Sequence, residues 1–126
     1  MANALHGKGL ALDHLGNNTG AMMYIDKALS VNPMNTFALN GKGDYLFKLG
    51  NYTGAIVYAD QALKIDPNNI NALVIKGFAL DISGNHAESL KYFDKALKID
   101  PNNRNALYGK GVILNGSDNR TISKVF

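Results

Sequence analysis

Apolar residues in this chain recur at spacings of three and four, the mark of helices with one buried face. Ala38, Leu39, Gly43, Leu46 and Leu49 share one such face. Leu49-Gly50-Asn51 ends the run, with Gly50 where a left-handed C-terminal cap is expected. A second helix follows, burying Ala55, Tyr58, Ala59, Ala62 and Leu63. Asp66-Pro67-Asn68-Asn69 stops it, because proline cannot continue the hydrogen-bond ladder. Asn69 then stands where the next helix needs an N-cap. Gly43, Ala55 and Ala62 are the small residues expected where the two helices cross.

The pair repeats. A shift of 34 residues brings the chain into register with itself, joining Gly9, Gly43, Gly77 and Gly111. The same shift joins Ala4, Ala38, Ala72 and Ala106, then Asn17, Asn51, Asn85 and Asn119, then Pro33, Pro67 and Pro101. The frame divides the chain into repeats 2–35, 36–69 and 70–103 and a partial repeat 104–126, one array over residues 1–126. Such a pattern predicts an all-α solenoid of antiparallel helix pairs.

Period, glycine, alanine and proline together resemble the tetratricopeptide repeat, whose pattern is W-x2-L-G-x2-Y, then A-x3-F, then P. Leu39, Gly43, Leu46, Ala55, Ala59 and Pro67 occupy that frame in one repeat. Leu73, Gly77, Leu80, Ser89, Phe93 and Pro101 occupy it in the next. The resemblance covers essentially the whole chain and implies a right-handed superhelical solenoid whose concave surface holds peptides. Leucine replaces the family's aromatic residues in each first helix, and lysine (Lys8, Lys42, Lys76, Lys110) replaces the leucine before the glycine. These lysines read as side chains that lay their stems along the helix and reach water. Asp60 with Lys64, and Asp94 with Lys98, are spaced as i,i+4 ion pairs on a solvated face.

Differences between repeats point to function. The columns that vary are Asn3, Phe37, Asn71 and Asn105; His6, Asn40, Val74 and Tyr108; Leu10, Asp44, Phe78 and Val112; Asp13, Phe47, Asp81 and Asn115. They are three or four residues apart, so they form one stripe on each first helix. The resemblance implies that this stripe is the concave groove. Its candidate peptide-binding residues are Asn3, His6, Leu10, Asp13, Phe37, Asn40, Asp44, Phe47, Lys48, Asn71, Val74, Phe78, Asp81, Asn105 and Tyr108. Asparagine amides pair with a peptide backbone, and aromatic rings serve as anchors. One subclass of the family clamps a C-terminal carboxylate with lysine, asparagine and arginine. The matching positions here are His6, Leu10, Gly41, Asn71 and Ile75, so that clamp is absent.

The fourth repeat departs from the pattern after Leu114, where Asn115-Gly116-Ser117-Asp118 replaces the usual ending. Three explanations stay open: a fragment of a longer array, a short cap formed by Ile122, Val125 and Phe126, or an end covered by a second copy. In the last case Leu107, Leu114, Ile122, Val125 and Phe126 are the self-association surface.

Composition removes other classes. The net charge of +3 is spread along the chain, without the basic stripe of a nucleic-acid binder. No signal peptide or membrane-length apolar run is present, so the expected location is cytoplasmic. There is no cysteine for thiolate chemistry. His6 and His14 are about 12 Å apart along a helix, too far to share a metal ion. Neither a phosphate loop nor a nucleophile–base set stands out, so no enzyme activity and no cofactor are expected. Glycosylation-type triplets at Asn17, Asn51, Asn115 and Asn119 read as turns and caps. The expectation is a binding scaffold with a protein or peptide partner, and self-assembly is the alternative.

Overall fold

The computed structural model describes residues 18–125, with side chains from residue 20 to residue 115. Six α-helices and no strands occur among them. In chain order they are α1 (Asn18–Val31), α2 (Thr36–Lys48), α3 (Tyr52–Ile65), α4 (Ile70–Ile82), α5 (His86–Ile99) and α6 (Arg104–Val125). The first helix expected of repeat 2–35 lies outside the described residues.

Each boundary has a local cause. Asn35, Asn69 and Asn103 accept hydrogen bonds from the backbone N–H groups of Ala38, Ala72 and Ala106, capping α2, α4 and α6. Asn51 and Asn85 do the same for α3 and α5 through Gly54 and Glu88. A cap of this kind contributes about 1 kcal/mol. Gly50 and Gly84 take φ of 84° and 95°, and they are the positive-φ glycines among the described residues. At those turns Asn51 N–H donates to Leu46 C=O and Asn85 N–H to Leu80 C=O, both at 2.8 Å. These bonds close the ends of α2 and α4 in the glycine-dependent manner.

One shift further along, the position of Gly50 and Gly84 is held by Asp118. Without glycine the left-handed turn is strained, and α6 runs on as one helix of 22 residues. The turn expected at 115–118 is therefore not formed. Asn115 and Asn119 lie within a helix, not at turns or caps, whereas Asn51 is a cap as expected.

Adjacent helices pack in sequence, and α2, α4 and α6 also touch one another as a continuous row. Alanines fill the crossings, with Ala55, Ala59, Ala62, Ala72 and Ala96 fully buried. An added Cβ at Gly43 would already touch the Ala55 carbonyl oxygen at 3.4 Å and the Ala59 nitrogen at 3.7 Å, so a longer side chain would press on backbone that cannot move aside cheaply. Gly43→Leu should therefore destabilise the array by about 1–3 kcal/mol. Chemical denaturation measures this, and an unchanged midpoint would contradict the pairing of α2 with α3.

The lysine ladder is more than a row of solvated side chains. Lys42 Nζ lies 2.5 Å from Asp26, Lys76 Nζ 2.6 Å from Asp60, and Lys110 Nζ 2.7 Å from Asp94. Each pair ties the first helix of one repeat to the second helix of the repeat before. The i,i+4 pairs expected of Asp60 and Asp94 give way to these longer-range partners. Lys42 and Lys76 also sit over the rings of Tyr58 and Tyr92, 4.7 and 4.5 Å from the centroids.

Burial is the largest influence on the Lys42 and Lys76 ammonium groups, and alone it would lower their pKa. The hydrogen bonds to Asp26 and Tyr58, or to Asp60 and Tyr92, together with those groups' charges, outweigh it. Both lysines end above the ordinary 10.5. A raised folded-state pKa gives stability that is complete below 10.5 and fades as pH climbs through the folded value. A Lys42→Met, Lys76→Met variant should be weaker than wild type at neutral pH by about 1–2 kcal/mol. The gap should narrow in denaturation curves recorded as pH rises beyond 10.5 and through the raised folded-state value. A gap that widened with pH would refute this account.

Candidate functional site

The row of first helices presents one face to a groove of about 440 Å³. Its lining is Phe37, Asn40, Gly41, Asp44 and Phe47 from α2, Asn71, Val74, Ile75 and Phe78 from α4, and Asn105 from α6. Eight of these belong to the variable stripe. Gly41 and Ile75 do not; they stand at two of the carboxylate-clamp positions, in a column of otherwise glycine (Gly7, Gly41, Ile75, Gly109).

The remaining stripe residues lie elsewhere. Lys48 is exposed, its Nζ 3.2 Å from Asp44 in an i,i+4 pair. Asp81 turns away from the groove to His86, at 2.5 Å from Nδ1, across the turn between α4 and α5. Tyr108 stands at the rim, 68% exposed. Asn3, His6, Leu10 and Asp13 lie outside the described residues. Of the self-association candidates, Leu107 and Leu114 are exposed on α6. Ile122 and Val125 belong to α6 with side chains outside the described range, and Phe126 lies beyond it.

Aromatic rings dominate the groove. The Phe47 ring meets Tyr52 edge-on at 5.4 Å between centroids and Phe78 at 6.3 Å. Phe78 in turn meets Tyr108 at 6.4 Å, and Phe93 edge-on beneath it at 4.9 Å. The supporting ring is fully enclosed: Phe93 has no exposed surface and packs on Gly77 and Gly109. Phe37, by contrast, is 58% exposed at one edge.

The amide groups divide by depth. Asn71 and Asn105 are exposed. Asn40 is buried, and its Nδ2 donates to Asn69 Oδ1 at 3.0 Å. Because Asn69 Oδ1 also accepts from Ala72 N–H, it fixes which way the Asn40 amide points. The Asn40 Oδ1 is then sealed from solvent with no hydrogen-bond partner among the described residues. Leaving such an acceptor unpaired costs about 1–3 kcal/mol. Asp44 is the one charged side chain in the lining among the described residues. No cluster of three potential metal-ligating His, Cys, Asp or Glu side chains forms among the described residues. Nor is any helix there long and apolar enough to cross a membrane.

Helix pairs with these caps, crossings and 34-residue spacing define a helical-repeat protein with a concave face. Tetratricopeptide repeat models match residues 2–35, 37–69 and 70–103, so the chain belongs to the tetratricopeptide repeat family. No curated protein matches it at the level of sequence. Solved structures match closely in fold. The first tetratricopeptide domain of human RPAP3 superposes with a TM-score of 0.87 at 21% identity, over 98% of this chain and 97% of that one. The first such domain of Spaghetti (RPAP3), bound to the HSP90 peptide SRMEEVD, gives 0.84 at 20% identity, covering 93% of each chain. The O-GlcNAc transferase of Thermobaculum terrenum gives 0.85 at 24% identity, over 90% of this chain and 22% of that one.

Proposed function

We propose that the chain is a non-catalytic protein–protein interaction scaffold that holds a peptide segment of a partner in the concave groove. The observation that carries this reading is the coincidence of two independent features. The first-helix columns of Ala38, Leu39 and Gly43 stay constant between repeats, and eight residues of the columns that vary fall in one groove lined by three phenylalanines and three asparagines. Similar folds that hold HSP90 and HSP70 peptides lend support. The ligand differs, however. Gly41, Asn71 and Ile75 stand at three of the carboxylate-clamp positions and offer no cation. A terminal carboxylate needs charge-assisted donors of that kind, so acidic chaperone tails are not the ligand. A cytoplasmic location and the absence of a cofactor accompany this reading.

The test starts with a random twelve-residue peptide library selected on the immobilised chain. A synthetic copy of a selected peptide is then titrated while backbone amide NMR signals are followed. Shifts concentrated on Asn40, Asp44, Val74 and Phe78 are expected. Shifts confined to the exposed side of α6 would contradict the groove.

A second reading, self-association through α6, has its own observation. Added Cβ atoms at Gly43 and Gly77 would meet α3 and α5, but at Gly111 nothing among the described residues lies within 4 Å. Leu107 is half exposed, while its equivalents Leu39 and Leu73 are buried. That face suits another helix. Light scattering across a hundredfold range of concentration separates the readings, because self-association requires a mass that rises with concentration.

A further inference from the structure

The rings of Phe47, Phe78 and Tyr108 form a strip with a regular pitch, 6.3 Å and then 6.4 Å between centroids. They come from α2, α4 and α6 but not from one column. Phe78 follows Phe47 by 31 residues and Tyr108 follows Phe78 by 30, so each ring sits about one turn earlier in its helix. The strip therefore crosses the row of helices obliquely.

That pitch selects a backbone conformation. An extended chain rises about 3.2–3.4 Å per residue, so side chains on one face recur every ~6.4–6.8 Å. In an α-helix the residues of one face alternate between steps of three and four, about 4.5 and 6 Å along the axis. Such a ligand would be out of step by the third ring. Charge narrows the ligand further. Among the described residues Asp44 is the single charged side chain of the lining. Its exposed i,i+4 pair with Lys48 contributes little, so a ligand cation can take the place of Lys48 and the groove complements a neutral or cationic segment.

We propose that the aromatic strip reads an extended internal segment of a partner protein with apolar side chains at i, i+2 and i+4, one to each ring, and a lysine or arginine beside them for Asp44. The inference rests on the groove reading above and specifies its ligand. The intervening side chains of the segment point to solvent, and its ends take no part in recognition.

The probe is a library of random twelve-residue segments displayed between fixed flanking sequences, so that neither end is free. Segments that bind wild type but not Phe47→Asp are kept, then made as acetylated and amidated peptides for alanine scanning. Three alternate positions should each lose about tenfold or more in affinity. Tyr108→Ala should weaken the same peptides by about tenfold. Tyr108 is mostly exposed, so the fold should not suffer. Sensitive positions spaced i, i+3 or i+4, and i+7 would overturn the proposal while keeping the groove. So would affinity indifferent to Tyr108→Ala. If no Phe47-dependent segment emerged, the groove reading and this inference would fall together.

Discussion

Phe93→Ala is expected to cost the array about 3–5 kcal/mol, a large share of the stability of a domain this size. The ring has no exposed surface and fills the space where α4, α5 and α6 meet. It lies so close to Gly77 and Gly109 that an added Cβ would come within 2.8 and 2.4 Å of it. One repeat earlier the arrangement is reversed: Ala59 occupies the place of Phe93, and Ile75 occupies the place of Gly109. A large residue on the second helix is thus matched by glycine on the next first helix, and a small one by isoleucine. The match makes a second prediction from the same contact. Gly109→Ile alone should destabilise by overpacking, about 1–3 kcal/mol. Combined with Phe93→Ala it should recover part of the loss, leaving a coupling of about 1–3 kcal/mol. Chemical denaturation of the four proteins measures it, and simple additivity would mean the two positions are not complementary.

Much of this architecture is legible in the residues themselves because its causes are local. Gly50 closes a helix through its own backbone freedom, and Asn69 caps the next through a side chain three residues away. Such features repeat every 34 residues and are visible by alignment of the chain with itself. What is not legible depends on distant partners. Asp60 has Lys64 one turn away and Lys76 sixteen residues on, and only the packing of α3 on α4 decides that Lys76 takes it. The groove shows the same division. Eight stripe residues line it, since helical periodicity alone puts them on one face. Asp81 has the same periodicity, but His86 across the turn draws it aside. Ile75 lines the groove from a clamp position outside the variable stripe. The long α6 is legible in hindsight from Asp118, whose replacement of a glycine removes the one residue type that ends this helix cheaply.

The second large effect concerns binding. Asp44→Ala together with Phe47→Asp should abolish peptide binding while sparing the fold. Asp stands naturally at the position of Phe47 in two other repeats, Asp13 and Asp81, so the helix face accepts it. Phe47 is only partly buried, touching Tyr52 and Phe78, so the loss of packing should be about 1–2 kcal/mol. Anchoring aromatics at interface centres typically carry 2 kcal/mol or more, about thirtyfold in affinity. Removing Asp44, the only charge of the lining among the described residues, and placing a carboxylate against the ligand's apolar side chain should take binding below detection.

The most direct measurement is therefore isothermal titration of one library-selected peptide against wild type and this double variant, with the melting of both recorded alongside. The account predicts clear binding to wild type, none to the variant, and melting curves that stay cooperative and close together. Equal affinity for the two proteins would contradict it and place the binding surface outside the groove.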